Sequence, residues 1–116
     1  MNNPRRRNGY KRDELNRRHK ALRENCHICG GPIDYDAVAP SPWSYVTDEI
    51  VPVKYGGDPL SWDNTAPAHW WCNRIKSTHS IQWARAKVRE LIKEGKAPSR
   101  RAPESVVVRS SDWFGR

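Results

Sequence analysis

Two pairs of residues in this sequence have the types and the spacing of metal ligands. Each pair encloses two intervening residues: Cys26 and Cys29 in the first pair, His69 and Cys72 in the second. A cysteine pair on a tight turn and a His–Cys pair at a helix start can together complete a closed tetrahedral zinc site. The spacing therefore predicts a structural zinc bound by three cysteines and one histidine, which uses every cysteine of the chain.

The Cys-x-x-Cys pair has two competing interpretations. A redox-active dithiol opens a helix inside a β-α-β unit, but Gly30, Gly31 and Pro32 follow here and disfavour a helix. The other interpretation is a set of three buried thiols with an unrelated histidine. Within the turn, His27 is predicted to point away from the metal, because ligation by adjacent residues would strain the turn.

A second group of residues has the chemistry to bind a hard divalent cation. Asp48 and Glu49 are neighbours on an apolar strand, and Asn64 and Asn73 follow. Carboxylate and amide oxygens suit Mg²⁺ or Mn²⁺, and phosphodiester hydrolysis needs such a cation together with a base for water. Adjacent strand residues face opposite sides, so the two carboxylates share a site only if the strand bends. An ordinary surface Asp–Glu pair with a helix-capping asparagine is the competing interpretation.

Periodicity and turn residues predict the elements that must position these side chains. Helical spacing of apolar residues predicts helices over 10–24 and 80–94, the second ending at Gly95. A strand is expected from about Tyr45 to Pro52, where apolar residues flank the acidic pair. The remaining expected elements are a Gly-Gly turn at 55–59, a loop at 62–67 and a helix that begins within 69–76.

The charge distribution indicates a polyanionic partner. The net charge is +8, and basic ends, 1–25 and 74–116, flank a centre, 26–73, in which acidic residues outnumber basic ones. Basic arms suit a nucleic acid, and the central carboxylates suit a cation. A membrane is not expected, because neither arm pairs its charges with a large aliphatic face. A basic surface that serves only solubility is the alternative.

Composition favours one small domain that needs a metal staple. The chain has 116 residues, of which 36% are hydrophobic, and such a chain makes a thin core. Its 3 cysteines cannot all pair and no signal peptide is visible, so a soluble cytoplasmic protein in a reducing compartment is expected. The predicted organisation is a disordered basic arm at 1–9, a domain at 10–95 and a basic Pro/Ser/Arg tail at 96–116.

The motifs taken together resemble those of the HNH endonuclease family. In chain order they are Asp48-Glu49-Ile50-x-Pro52, Gly56-Gly57, Asp63-Asn64 and His69-x-x-Cys72-Asn73-x-x-Lys76, with Cys26 and Cys29 matching the zinc-binding subset. The resemblance covers about residues 24–80. It implies an α+β fold, a small ββα-metal (His-Me finger) domain stapled by a structural zinc and flanked by helices. It also implies a catalytic Mg²⁺ or Mn²⁺ in addition to the zinc.

The resemblance implies a role for each of four residues. Asp48 matches the position that binds the catalytic cation, and Asn73 matches the final position, where His or Asn ligates it. Asn64 matches the middle asparagine, which holds the base-bearing loop. Glu49 occupies the position of the first histidine, the general base. A free carboxylate has a pKa of about 4 and is a weaker base than imidazole, but it is ionised at neutral pH.

The resulting functional prediction is a metal-dependent endonuclease that hydrolyses DNA with low sequence specificity. Lys54, Arg74 and Lys76 are expected to contact the DNA phosphates. The alternative is a zinc-stabilised DNA-binding accessory or regulator with a degenerate nuclease site. Glu49 favours this alternative, because it stands where the family has a histidine. A third possibility, a zinc-ribbon adaptor for protein interactions, leaves the basic arms unexplained. The chain also resembles small HNH nucleases of tailed phages, which implies terminase or packaging proteins as partners and the host cytoplasm as location.

Overall fold

The computed structural model describes residues 4–38 and 40–100, with side chains from residue 9 onward. Three α-helices and one two-stranded antiparallel sheet form in this part of the chain, which confirms the predicted α+β class. They are α1 (Pro4–Leu22), β1 (Tyr45–Glu49), β2 (Thr65–His69), α2 (Trp70–Lys76) and α3 (Ile81–Lys93). Residues 53–55 and 62–64 add short 3-10 turns to the connection between the strands.

The sheet has two faces that serve different neighbours. β1 and β2 pair from Tyr45 opposite His69 to Glu49 opposite Thr65, and side chains alternate between the faces along each strand. On one face the Thr47 hydroxyl donates to Asn16 of α1 at 2.6 Å. The other face, which carries Asp48, packs against α2. The hairpin therefore separates the first helix from the rest of the domain.

β1 is shorter than its predicted extent to Pro52. The strand ends at Glu49, because only the next amide continues the ladder and the one after it pairs with an asparagine side chain. Ile50 N–H donates to the Asn64 carbonyl at 2.8 Å, and Val51 N–H donates to the Asn64 side-chain oxygen at 2.9 Å. The chain therefore bends one residue after the acidic pair.

The last two helices agree closely with the sequence-based expectation. α2 follows β2 without a loop, and His69 is its N-cap residue. α3 begins after Ser80, whose hydroxyl accepts the Trp83 amide as a cap, and the chain turns away at Gly95, which has a φ of 73°. The predicted helix over 80–94 is thus confirmed to within one residue at each end.

The hydrophobic core is small and contains zinc-ligand candidates. Its buried members are Cys26, Ile28, Ile33, Ala68, Cys72, Ala84 and Val88. Few large aliphatic side chains are present in this set, so little apolar area leaves water on folding. The expectation of a thin core is confirmed, and the core surrounds the cysteines rather than lying apart from them.

α1 is longer than predicted at its N-terminal end. It begins at Pro4 rather than near Tyr10, and proline is tolerated at the first helical position because its missing N–H would be unpaired there. The prediction of a disordered arm is therefore corrected for residues 4–9, while residues 1–3 and 101–116 lie outside the described residues. The helix ends at Leu22, and Arg23 has a positive φ of 48°.

His19 attaches α1 to the hairpin. The side chain is buried, its Nε2 lies 3.0 Å from the Thr65 hydroxyl, and its ring stacks on Trp62 with a centroid distance of 4.1 Å. The Arg18 guanidinium also lies over the Trp62 ring, at 4.2 Å. His19 is therefore a packed residue of the helix face that meets the hairpin. Its Nδ1 is buried without a hydrogen-bond partner among the described residues.

We expect His19 to titrate below its ordinary range. Burial lowers the pKa of His19 from the usual value of about 6.5, and Arg18 adds to this effect whereas Glu24 opposes it. The unfolded chain thus binds the proton more readily, so this contribution to stability is complete above about pH 6.5 and is lost as pH falls through the lower folded pKa. NMR titration of the His19 ring should give a midpoint below 6.5, and a higher midpoint would contradict the packing described for α1.

Candidate functional site

The four predicted zinc ligands come together. One ligand atom from each of Cys26, Cys29, His69 and Cys72 lies within 4.8 Å of the others. His69 Nδ1 is 3.3 Å from the Cys29 sulfur and 3.7 Å from the Cys72 sulfur. Tetrahedral zinc bonds of about 2.3 Å to sulfur and about 2.0 Å to nitrogen place such atoms roughly 3.5 Å apart. The donor set and its dimensions therefore fit a structural zinc.

The first ligand pair sits on a tight turn that aims backbone amides at sulfur. Gly30 N–H donates to the Cys26 carbonyl at 2.8 Å, and Gly30 has a φ of 82°, which favours glycine. The amides of Ile28 and Cys29 lie 3.4 and 3.5 Å from the Cys26 sulfur, and that of Gly31 lies 3.4 Å from the Cys29 sulfur. Such donors stabilise thiolates, which are the metal-binding form.

The histidine ligand is held in one tautomer. His69 is fully buried, and its Nε2–H donates to the Pro32 carbonyl at 2.7 Å, which leaves Nδ1 for the metal. The Trp43 ring meets His69 edge-on at 4.8 Å. Trp43 in turn donates from Nε1 to the Ser99 carbonyl and lies 3.8 Å from the Arg100 guanidinium. The chain after α3 therefore covers the ligand cluster.

The ionisation of the cysteine and histidine side chains in the cluster is coupled. Hydrogen bonds from Cys26 and Cys72 hold the pKa of the Cys29 thiol below its usual range, whereas the Cys26 and Cys29 sulfurs raise the pKa of Cys72. Burial alone would lower the pKa of His69, but hydrogen bonds to the cysteines raise it to about 9. Three thiolates this close repel one another, and a shared divalent cation removes that conflict.

Asp48 occupies a second, separate cluster. Its side chain is 4% exposed, Oδ2 accepts from His27 Nε2 at 2.8 Å and Oδ1 lies 3.3 Å from Lys76 Nζ. Lys76 Nζ also donates to the Glu49 carbonyl at 3.0 Å. His27 does point away from the zinc ligands, as predicted. Its partnership with Asp48 was missed, because nothing in the spacing of His27 and Asp48 signals a contact.

Lys76 requires a correction. The sequence predicts that it contacts DNA phosphates, but its side chain is fully buried in the cluster with Asp48. It therefore acts as an internal counter-charge. Lys54 and Arg74 are exposed, and each lies against an aromatic neighbour, Lys54 at 5.4 Å from the Tyr55 ring and Arg74 at 4.8 Å from the Trp70 ring.

The acidic pair is divided between the two faces of the hairpin. Strand pairing remains regular through Glu49, which lies opposite Thr65, and the side chain of Thr65 contacts α1. Alternation therefore places Glu49 on the α1 side and Asp48 on the α2 side. The bend that would let both carboxylates share a site begins only at Ile50.

Asn64 holds the loop that follows the acidic pair. Its side-chain oxygen accepts from Val51 N–H, and its amide group donates to the carbonyls of Val51 at 3.0 Å and Asp58 at 3.2 Å. Gly57 packs against the hydrogen bond between Asn64 and Val51. A Cβ at this position would come within 1.7 Å of the Val51 carbonyl oxygen, so only glycine fits here. The side chain of Asn73 on α2 is half-buried and makes no hydrogen bond with another described residue.

Two surface features near these clusters were not visible in the sequence. A cavity of about 120 Å³ between the Cys-x-x-Cys turn and α3 is lined by Arg85 and Arg89 together with three apolar or thiol side chains. An open groove of about 620 Å³ runs between residues 50–55 and residues 78–82. The cavity therefore adjoins the turn that carries Cys29, and the groove adjoins the segment that follows Asp48 and Glu49.

Comparison with protein-family models, with curated proteins and with solved structures gave no significant match. None of the helices in the described part of the chain is both long and apolar enough to cross a membrane. The functional argument therefore depends on the residues and contacts of this chain.

Proposed function

We propose that this chain is a zinc-stabilised, metal-dependent HNH endonuclease that hydrolyses DNA phosphodiester bonds with low sequence specificity. The observation that carries the proposal is the sequence of elements around Asp48. β1 and β2 form an antiparallel hairpin, α2 follows at once, and the Asp48 carboxylate faces α2 beside the zinc-ligand cluster. A ββα-metal domain needs this order, with one carboxylate between the hairpin and the helix.

The residues at this position fit a hard divalent cation in their chemistry. Asp48 offers a carboxylate, and Asn73 offers an amide oxygen that no other described residue engages. Such oxygen donors suit Mg²⁺ and Mn²⁺. Bound there, the cation would polarise a phosphodiester and lower the pKa of a coordinated water. Asp48 and Asn73 are the residues that would hold it.

The remaining residues position the site. Asn64 fixes the loop after β1 through three hydrogen bonds, and Lys76 balances the buried charge of Asp48. Glu49, at the strand end, is proposed to orient or deprotonate the attacking water. This role needs its side chain to cross from the α1 face to the other face at the bend that begins at Ile50.

A zinc-stabilised DNA-binding module without catalysis is the second candidate. It is favoured by the engagement of both Asp48 oxygens, one by His27 and one by Lys76, and by the separation of Glu49 from Asp48. A carboxylate with two internal partners contributes to packing without a metal. In this function the chain would act as an accessory or regulator, and a phage packaging context, with terminase as partner, is proposed only from the resemblance.

A plasmid assay separates the two functions. Supercoiled DNA incubated with zinc-loaded protein and Mg²⁺, Mn²⁺ or Ni²⁺ is expected to become nicked or linear. Salt-sensitive DNA binding without cleavage under any metal would favour the binding module, and absence of both would refute both candidates. A Glu49→Gln variant that cleaves at the wild-type rate would remove Glu49 from the mechanism.

The face of α3 that lines the cavity beside the Cys-x-x-Cys turn is the surface that we propose for DNA contact. Lys87 pairs with Glu90 at 3.8 Å and Lys96 pairs with Glu94 at 3.2 Å. Arg85 and Arg89, one helical turn apart, instead line the cavity beside the zinc turn, and neither forms a salt bridge within the described residues. Guanidinium groups suit phosphate oxygens geometrically, so this cavity can take a backbone phosphate.

Replacing Arg85 and Arg89 with alanine is expected to weaken binding to duplex DNA by about tenfold or more at low salt. The slope of log K against log salt is negative for DNA binding. If each guanidinium neutralises one phosphate, each replacement should make this slope less steep by about 0.9. Fluorescence anisotropy over a salt series measures both values. The matched control is Lys87→Ala with Lys96→Ala, which removes the same charge from already paired lysines. Equal effects of the two double variants would contradict the assignment of the cavity.

A further inference from the structure

His27 has a fixed position that the zinc site does not explain. Its N–H donates to the Pro67 carbonyl at 3.0 Å, and its carbonyl accepts from Arg85 Nε at 3.0 Å, so β2 and α3 hold its backbone from two sides. The ring is directed away from the zinc ligands and onto Asp48, with 2.8 Å between Nε2 and Oδ2. The side chain is 14% exposed, which leaves the pair reachable from solvent.

Charge balance alone does not account for this contact. Lys76 already supplies a buried cation to the other oxygen of the same carboxylate, 3.3 Å from Oδ1. One carboxylate therefore has two basic partners, and the imidazole is the one that can also ligate a metal. His27 is also the more exposed of the two partners, with a side chain that is 14% exposed against 1% for Lys76.

The separation of these two atoms matches a pair of neighbouring metal ligands. Bonds of about 2.1 Å meeting at a right angle place two ligand atoms roughly 3 Å apart around an octahedral ion. The 2.8 Å between His27 Nε2 and Asp48 Oδ2 is close to this value. The two atoms therefore need not separate for a divalent cation to replace the shared proton, although the imidazole and the carboxylate must each turn to face it.

We propose that His27 is a ligand of the catalytic cation and shares it with Asp48. The additional ligand is thus supplied from the turn that carries Cys26 and Cys29, next to the proposed structural zinc, whereas the role of general base stays with Glu49. This inference rests on the proposed nuclease function. A mixed nitrogen and oxygen donor set favours Mn²⁺, Co²⁺ or Ni²⁺ over Mg²⁺, so the preferred cofactor should be a transition metal.

Mn²⁺ bound to the zinc-loaded protein provides the test. Pulsed electron paramagnetic resonance of the wild-type complex should show coupling to a histidine nitrogen, and selective ¹⁵N-histidine labelling should change that signal. His27→Gln should remove the coupling and weaken Mn²⁺ binding by about tenfold or more. His79→Gln, which replaces an exposed histidine that stacks on Trp83, should leave both unchanged. Zinc content and thermal melting confirm that each variant is folded.

The outcomes separate this inference from the function on which it rests. Mn²⁺ binding without nitrogen coupling, coupling that persists in His27→Gln, or no Mn²⁺ binding would each overturn the role of His27, whatever the plasmid assay shows. The labelling experiment on the wild-type chain shows whether any of the 4 histidines binds the cation. His27→Gln, or His27→Asn if the first variant does not fold, then assigns the coupling to His27 or overturns it. Nitrogen coupling in a protein that never cleaves DNA would support the cation site and refute the proposed hydrolysis.

Discussion

Removing the zinc is expected to unfold the domain. Strong chelation, or replacement of the buried ligand Cys72 by serine, should abolish cooperative thermal melting monitored by circular dichroism. Structural zinc contributes on the order of 10 kcal/mol in finger peptides, whereas the net stability of a domain is about 5–15 kcal/mol. The core contains two of the ligands, Cys26 and Cys72, and few large aliphatic side chains, so the remaining packing cannot replace the metal.

A histidine pair provides the matched control for this prediction. His69→Gln removes a fully buried ligand, and His79→Gln removes an exposed histidine outside the cluster. The first variant should lose both zinc and the melting transition, and the second should keep both. Zinc content measured by atomic absorption must accompany each melt. A metal-free protein that still melts cooperatively would show that the fold does not depend on zinc.

The group of candidate zinc ligands could be predicted because the information that specifies it is local in sequence. Two short spacings, Cys-x-x-Cys and His-x-x-Cys, each place a pair of candidate ligands on one turn of backbone. The 3 cysteines cannot all form disulfides, which favours metal binding. α3 was predictable for a similar reason, since Ser80 caps one end and Gly95 ends the other. In each case the residues that decide the structure are neighbours along the chain.

The cluster around Asp48 could not be predicted because its members come from three distant segments. His27 lies on the zinc turn, Asp48 on β1 and Lys76 on α2, and only tertiary packing brings them together. Lysine is almost never fully buried unless paired, so an exposed, DNA-contacting Lys76 was the reasonable expectation. In the folded chain α2 brings the Lys76 ammonium to the Glu49 carbonyl and to the Asp48 carboxylate.

The end of β1 illustrates a competition that sequence patterns do not resolve. The apolar residues from Ile50 to Val53 have strand propensity, yet the ladder continues only to the Ile50 amide, and the Asn64 side chain accepts the Val51 amide instead. Gly57 permits this close approach, because any Cβ would collide with the Val51 carbonyl. One asparagine side chain therefore ends the strand against the propensity of the segment, and the bend falls after Glu49, whose side chain stays on the α1 face.

Asp48→Asn is expected to abolish cleavage while DNA binding remains. The substitution keeps the shape of the side chain but removes the negative charge that the proposed cation requires, and losses of about 10²–10³-fold or more in rate are typical when such electrostatic stabilisation is removed. Plasmid nicking and fluorescence anisotropy measure the two properties. Asp36→Asn is the control, because Asp36 is an exposed carboxylate that pairs only with Arg23, at 3.2 Å, among the described residues.

The stability of Asp48→Asn must be separated from its activity, because Lys76 would remain buried without a counter-charge. Removing one partner of a buried ion pair costs about 3–5 kcal/mol, which could unfold so small a domain. Adding Lys76→Met removes the unpaired charge, so the double variant should melt at a higher temperature than Asp48→Asn alone. If the double variant folds and binds DNA but stays inactive, the Asp48–Lys76 pair is required for cleavage and not only for stability. If it cleaves DNA at the wild-type rate, Asp48 serves only packing and the nuclease site lies elsewhere.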